Sequence, residues 1–304
     1  MKRAAIICNP VAGSGQATAM TERAREILAS DGVAVEHVAT RGPGETESLV
    51  RTRAGSIDLL LVAGGDGSIR EAIAGLGDDR RRVPVAILPC GNANVVAREL
   101  GVPQDAEAAL EVLRSGVGTP IDVGRIGSEL FLAMVGIGWD ARAVHHLSRL
   151  RQTSLGRHWY RLWADSAYLV AGLAAAFDWP LGRVRITVDG QPAGPAYCAL
   201  QVANFRNYGK GWAMVPDAHP LSARLHFQAR KRAGPASILW QVLAAMSHRR
   251  APHFISDHGD GKKLVVEADR PFAVQVDGDD RGSFTRVEIQ IEPHAASILA
   301  PATQ

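Results

Sequence analysis

Residues 57–76 read Ile57-Asp-Leu-Leu-Leu-Val-Ala-Gly-Gly-Asp-Gly-Ser-Ile-Arg-Glu-Ala-Ile-Ala-Gly-Leu76. Ile57–Ala63 is an apolar run of strand type, and Ile69–Leu76 has the spacing of a helix with one apolar face. Between them Gly64-Gly-Asp-Gly-Ser68 forms a turn from strand to helix. Such a turn suits an anion: glycines let the backbone approach closely, and the helix start offers unpaired N–H groups and a partial positive charge. Asp66 can hold a divalent cation that accompanies a phosphate. The plainer alternative is a tight turn in which Asp66 caps the helix.

Working outward, the first 120 or so residues repeat the same alternation. Strand-like runs at Ala4–Cys8, Ala34–Ala39, Leu59–Val62 and Val85–Leu88 are interleaved with helical patterns at Ala17–Ser30, Thr46–Ala54, Ile69–Leu76 and Val95–Leu100. This order predicts an α/β domain with a parallel sheet covered by helices. In such sheets ligands bind beyond the carboxyl ends of the strands. The polar and glycine-rich loops fall there: Asn9-Pro-Val-Ala-Gly-Ser-Gly15, Gly64–Ser68, and Pro89-Cys-Gly-Asn-Ala-Asn94.

After Asp122 short β-type runs dominate, at Leu130–Val135, Val184–Val188, Ala199–Val202, Leu225–Ala229, Lys263–Glu267, Ala273–Val276 and Val287–Ile291. Turn signals such as Asp189-Gly190 and Asp277-Gly278 separate them, which predicts a mostly antiparallel second domain. Two helical stretches interrupt it, about Arg142–Phe177 and Pro235–Met246. The first mixes Arg142, Arg149, Arg151, Arg157 and Arg161 with Trp159, Tyr160, Leu162 and Trp163. That mixture reads either as a solvated basic face over an aromatic core or as an interfacial, membrane-facing helix.

The chain has 304 residues, 46% of them hydrophobic, enough for two folded cores. A net charge of +3 from 34 basic and 31 acidic residues gives no sign of nucleic-acid binding but is compatible with an anionic ligand or membrane surface. Cys8, Cys90 and Cys198 have no metal-ligand spacing and read as small apolar residues in a reducing compartment, so a cytoplasmic location is expected. Neither a signal segment nor a spanning helix is evident, and membrane contact is expected to be peripheral.

Three motifs in order, Asn9-Pro-x-x-Gly13-x-Gly15, Gly64-Gly-Asp-Gly-Ser-x-x-Glu71 and Pro89-x-Gly-Asn-x-Asn94, make the chain resemble the diacylglycerol-kinase catalytic domain family, most of all its bacterial soluble lipid kinases. Further matches span nearly the full length: Ile121-Asp-Val-Gly124, Val135-Gly-Ile-Gly-Trp-Asp140, Leu155-Gly-Arg-His-Trp-Tyr160, Asn204-x-x-x-Tyr-Gly-x-Gly211 before Pro216, and Gln275-Val-Asp-Gly-Asp279. The resemblance implies an N-terminal nucleotide-binding domain over 1–122 and a β-sandwich-like lipid-substrate domain over 123–292. It also implies a terminal segment, 293–304, that returns to the first domain, with ATP in the cleft.

Phosphoryl transfer is mostly positioning and charge neutralisation, so the implied site needs backbone donors, a carboxylate for metal and a base beside the acceptor hydroxyl. By resemblance Asn9, Pro10, Gly13, Ser14, Gly15 and Thr40 surround the nucleotide, and Gly64, Gly65, Asp66, Gly67 and Ser68 hold the triphosphate. Gly91 and Asn92 belong to the third loop, Asn92 standing where the family has threonine. Glu71 fits that site or a capping box with Ser68. Asp66 and Asp122 are implied to organise the catalytic Mg²⁺ of ATP. Val95 replaces a family aspartate and removes one member of that acidic network. In Gln275-Val-Asp-Gly-Asp279 the family has Asp-Gly-Glu, so Asp277 keeps the aspartate and Asp279 takes the glutamate's place; either is a candidate base. The plain alternative for that stretch is a hairpin turn.

The family's Pro-x-Ala-x-x-Asp-Asp-Gly-x-Leu-Asp run, implied to hold a structural Mg²⁺, is here Pro216-Asp-Ala-His-Pro-Leu-Ser-Ala-Arg-Leu-His226. Its aspartates are gone, and a structural Mg²⁺ site is expected to be absent. The resemblance therefore implies an ATP-dependent lipid kinase acting on diacylglycerol or a related lipid. Sphingoid-base and NAD kinases are the enzymatic alternatives. A catalytically weak or inactive nucleotide- or lipid-binding regulator is the alternative outside catalysis. The partners expected are ATP and a lipid at a membrane surface, without nucleic acid; the oligomeric state, a homodimer included, is open at this level.

Overall fold

In a computed structural model the structure describes residues 2–10, 12–42, 44–153, 172, 175, 182–209 and 211–302. The chain divides into two compact units, Met1–Val123 with Glu292–Gln304, and Gly124–Ile291. Most of the aromatic and basic stretch after Thr153, including the Leu155–Tyr160 motif and Arg157, Arg161 and Trp163, lies outside the described residues.

The first unit is a parallel sheet. Strands β1 (Arg3–Cys8), β2 (Ala34–Ala39), β3 (Leu59–Gly64) and β4 (Val85–Pro89) lie in the order β2-β1-β3-β4. The helices are α1 (Gln16–Ser30), α2 (Glu45–Arg51), α3 (Asp66–Leu76), α4 (Val95–Glu99) and α5 (Ala106–Ser115). β3 and β4 are buried throughout, as continuous apolar runs in a sheet covered on both faces require. Ile6, Leu59, Leu61, Leu88, Leu28 and Leu110 are among the residues of one core between the sheet and the helices α1 and α5. On the other side α2 and α3 pack so closely that a Cβ on Gly75 would lie 2.5 Å from the Glu47 carbonyl oxygen, which only glycine permits.

The second unit is antiparallel. It contains the C-terminal part of β5 (Val117–Ile126), then β6 (Glu129–Phe131), β7 (Met134–Ile137) and α6 (Trp139–Gln152). After these come β8 (Arg185–Val188), β9 (Gln191–Pro192), β10 (Ala199–Ala203), β11 (Asn207–Tyr208), β12 (Trp212–Ala213) and β13 (Leu225–Arg230). The helix α7 (Pro235–Met246) precedes β14 (Ser256–Gly261), β15 (Lys263–Val276) and β16 (Asp279–Ala300). β14, β13, β10, β7 and β15 are neighbours in that order. The early half of β15 pairs with β8 and its last residues pair with β7, with shifts of register against β16 between Glu267 and Phe272 and between Ala273 and Gln275. A bulged strand shared in this way gives the sandwich-like form.

Two sequence runs divide differently in the structure. Leu130–Val135 is two strands, because the N–H groups of Leu132 and Ala133 donate to the Asp277 carboxylate. The separate runs Lys263–Glu267 and Ala273–Val276 are one strand carried across its bulge. The far end of β16 belongs to the first unit, where Ile298 and Leu299 pair in parallel with Val85 and Ala86.

Candidate functional site

The carboxyl ends of β1 to β4 bring four loops to one edge of the first unit. With the order β2-β1-β3-β4, successive connections leave β1 and β3 in opposite directions, and the crevice at such a reversal is where open α/β sheets take ligands. The loop after β1 is tied down by the Asn9 N–H donating to the Ala63 carbonyl at 3.0 Å and by Ala12 N–H donating to the Asn9 carbonyl at 3.0 Å. Exposed Pro10 follows, then the short turn Ala12–Gly15 that contains Ser14. Gly13 and Gly15 have φ of +59° and +99°, a region costly to residues with a Cβ. Gly15 caps α1 without a side-chain hydrogen bond, and the first turn of α1 carries no acid to occupy its N–H groups.

The loops after β3 and β4 meet backbone to backbone. A Cβ on Gly91 would lie 2.5 Å from Gly65 Cα, and one on Gly64 would lie 2.7 Å from Ser68 Oγ. Cys90 N–H donates to the Gly64 carbonyl at 3.1 Å, and Asn94 Oδ1 accepts from Gly91 N–H at 2.8 Å. Asn92 and Gly67 are exposed at this edge. α3 begins at Asp66, and no side chain caps it from Gly65.

Asp66 meets its own N–H at the start of α3 and also reaches out to α4. Its Oδ1 accepts from Val96 N–H at 2.9 Å, at the start of α4. Burial raises its pKa above the ordinary aspartate value, while the N–H groups of Val96 and Val95 and the charge of Arg98 favour the ionised form. Val95 thus supplies a backbone donor to Asp66 in place of a second carboxylate. Glu71 has neither the capping-box geometry nor a partner in its own helix: it accepts from Gly44 N–H at 3.0 Å and so fixes the fourth loop, after β2. Thr40 in that loop is buried, with its N–H donating to the Cys8 carbonyl at 2.8 Å.

Asp122, fully buried on β5, accepts from His294 N–H at 2.9 Å. The returning segment is also held by Arg80, whose Nε donates to the Ala295 carbonyl at 2.9 Å and whose guanidinium pairs with Glu292. These contacts give Asp122 an anchoring role in the unit. Among the described residues no group of three or more His, Cys, Asp or Glu side chains converges as a metal centre. In the run 216–226, Asp217 accepts from Arg250 Nε at 2.7 Å, and Leu221 N–H donates to His219 Nδ1 at 3.3 Å.

In the second unit β15 and β16 are joined by a two-residue turn, Asp277-Gly278, with φ of +50° and +84° and Val276 paired to Asp279. Two successive left-handed residues match a type I′ hairpin, which Asp-Gly favours. Asp277 Oδ2 accepts from Leu132 N–H at 2.8 Å, and its Oδ1 accepts from Ala133 and Met134 N–H at 2.8 and 3.0 Å. Both oxygens are engaged by backbone. Asp279, by contrast, is exposed, with Arg281 3.3 Å away. The two candidate bases therefore separate: Asp277 builds the turn and Asp279 presents its carboxylate.

Sequence reasoning missed how α6 holds this turn. Gln275 accepts from Gly278 N–H at 2.8 Å and donates to Asp140 Oδ2 at 3.3 Å; one turn of helix onward, His145 Nδ1 lies 2.6 Å from Asp280 Oδ2. A Cβ on Gly136 would fall 1.7 Å from Asp140 Oδ2, so the Val135-Gly-Ile-Gly-Trp-Asp140 motif makes room for this buried carboxylate. Burial pushes Asp140 up to about 6, against the Gln275 amide and the Arg230 charge. Arg230, fully buried 5.5 Å from the Trp139 ring, is drawn down to about 10 by the same loss of water. On the other side Arg281 clasps Glu129 through Nε at 2.9 and 2.7 Å. The signal for Asp140 and His145 was their place in the first and second turns of a helix that starts at a glycine motif.

The family model described as "Diacylglycerol kinase catalytic domain" matches residues 3–126, and that described as "YegS C-terminal NAD kinase beta sandwich-like domain" matches residues 133–300. A diacylglycerol kinase of Staphylococcus aureus (strain MRSA252) is 31% identical over 99% of this chain and 93% of its own length. One from Bacillus subtilis (strain 168) is 24% identical over 98% and 97%. The crystal structure of a diacylglycerol kinase from Bacillus anthracis str. Sterne has a TM-score of 0.72 at 21% identity, covering 98% of this chain and 96% of that one, a likeness of fold.

Proposed function

Since the chain belongs to the diacylglycerol kinase catalytic domain family, we propose that it is an ATP-dependent lipid kinase that phosphorylates a hydroxyl of diacylglycerol or a related lipid. The observation that carries the reading is the glycine-built edge of the first unit, where Gly65 and Gly91 approach at backbone distance beside two helix starts without side-chain caps. A nucleotide triphosphate fits this donor set. The N–H groups of Gly13–Gly15 and Gly64–Ser68 would hold it, with Asn9, Pro10, Thr40 and Asn92 around it and Asp66 toward its Mg²⁺. ATP with Mg²⁺ supplies the phosphoryl group and neutralises charge on it.

The chain's own work is then to hold, orient and move one proton. Asp279, exposed on a turn fixed by Asp277, accepts the proton of the lipid hydroxyl. His145 steadies that turn from α6 through Asp280. Asp122, whose Oδ1 accepts from His294 N–H, anchors the returning strand and would join Asp66 in organising the Mg²⁺ of ATP. Peripheral association with a membrane in the cytoplasm is part of the same proposal, and no described helix is long and apolar enough to cross one.

A second reading is favoured by Val95, which offers Asp66 a backbone N–H and no carboxylate of its own: a nucleotide-binding regulator with little turnover. Incubation with γ-labelled ATP, Mg²⁺ and a total lipid extract separates the two. The kinase reading expects label in the organic phase on a glycerolipid; label on a sphingoid base reassigns the acceptor, and ATP bound with no labelled lipid favours the regulator.

A further inference from the structure

The apolar face of α7 is turned to solvent. Leu239, Trp240, Leu243 and Met246 are 60, 48, 49 and 56% exposed, and Phe254 beyond the helix is 55% exposed. On a helix of 3.6 residues per turn, positions 239, 243 and 246 fall on one stripe, with 240 at its edge. Trp240 and Phe254 meet edge to face, their ring centroids 6.1 Å apart, and exposed Trp212 lies on β12, which packs against α7. The opposite face, with Ile238, Gln241 and Ala245, is buried. Six large apolar side chains gathered on one exposed surface are far more than scattered surface residues provide.

The rim of this surface has one sign. Residues 231–255 contain Lys231, Arg232, Arg249, Arg250, His248 and His253 and no Asp or Glu. Lys231 pairs with Asp257 and Arg250 with Asp217, but among the described residues neither Arg232 nor Arg249 has an ion-pair partner, and both are exposed. An apolar stripe with an interfacial tryptophan, flanked by cations, is complementary to an anionic bilayer: the stripe enters the acyl boundary while the arginines meet lipid phosphates. A second copy is a poorer occupant, since a two-fold contact would set these cations against each other with no acid in the stretch to offset them.

We propose that α7, through Leu239, Trp240, Leu243 and Met246 with Arg232 and Arg249 at its rim, is the surface by which the chain docks on anionic membranes. This deepens the lipid-kinase reading and rests on it only for the purpose of docking; the binding itself is measured without ATP or turnover. The full chain is sedimented with vesicles of phosphatidylcholine alone or of an equimolar mixture with phosphatidylglycerol, at low and high salt. The wild type is expected to sediment with the anionic vesicles, less so at high salt, and to stay in solution with phosphatidylcholine alone.

The double variant Trp240→Ser/Leu243→Ser is expected to lose about tenfold or more in partitioning, and Arg249→Glu a comparable amount at low salt with a flatter salt dependence. All are exposed positions, so both variants are expected to keep the wild-type melting temperature and its rate on a dispersed short-chain diacylglycerol. Variants that sediment like the wild type, a wild type indifferent to anionic vesicles, or a dimer in light scattering that the double variant splits would each overturn the proposal. A wild type that binds vesicles through α7 yet phosphorylates no lipid would leave the docking surface standing and remove the kinase reading.

Discussion

The two candidate regions are built from different materials. The edge of the first unit is made of backbone: glycines in close approach, positive φ at Gly13 and Gly15, and helix starts left open. Its carboxylates are themselves held by backbone: Asp66 by N–H groups at the start of α4 and Glu71 by Gly44 N–H. The turn of the second unit is made of side chains: Asp277 consumed by three N–H groups, Gln275 and Asp140 behind it, His145 on Asp280, and Asp279 presented outward. A backbone site fails when space is taken from it, whereas a side-chain site fails when a charge or a proton acceptor is removed. Substitutions can therefore tell them apart.

The largest contrast is expected within the turn. Asp279→Asn should lower turnover by about 100-fold or more, the contribution of a positioned base, with the melting curve unmoved. Asp277→Asn should do the reverse in kind, costing about 2 kcal/mol of stability because charge-assisted bonds to backbone donors are weakened, as read by denaturant midpoints. Equal effects of the two on turnover at matched stability would erase the division of roles. Next, Gly91→Ala should destabilise by about 1–3 kcal/mol and weaken ATP binding together, because the added methyl must displace the Gly65 backbone. Calorimetric ATP titration and thermal melting read both. Unchanged affinity would mean that the nucleotide is held elsewhere.

A further contrast concerns pH. With Asp140 raised to about 6 in the folded chain, its proton is held there after the unfolded chain has released its own near pH 4. Stability from this group is thus full at low pH and lost as pH rises from about 4 to about 6, with a slope of about 1.4 kcal/mol per unit. The difference in stability between wild type and Asp140→Asn should carry that slope and flatten above it. A flat difference across the range would show a carboxyl that titrates normally.

The sequence made the first unit legible because its rules are local: strand, glycine turn and helix follow one another within twenty residues, as in Ile57–Leu76. The second unit was legible in its class but less in its joints, since Asp277 and the break between β6 and β7 are linked across 143 to 145 residues. The same distance in sequence hid His145 with Asp280 and Asp140 with Gln275, each 135 residues apart. Glu71 fitted either the nucleotide site or a capping box, which is a local pattern, and its partner Gly44 lies 27 residues back. Exposure was also out of reach: Pro235–Met246 was recognisable as a helix, but periodicity alone did not reveal that its leucines and Trp240 face solvent.

The most direct measurement of the central claim is the stoichiometry of transfer from γ-labelled ATP to purified diacylglycerol in mixed micelles. The account predicts one labelled phospholipid in the organic phase for each ADP formed, dependent on Mg²⁺. ATP bound without ADP, or ADP formed without labelled lipid, would contradict it.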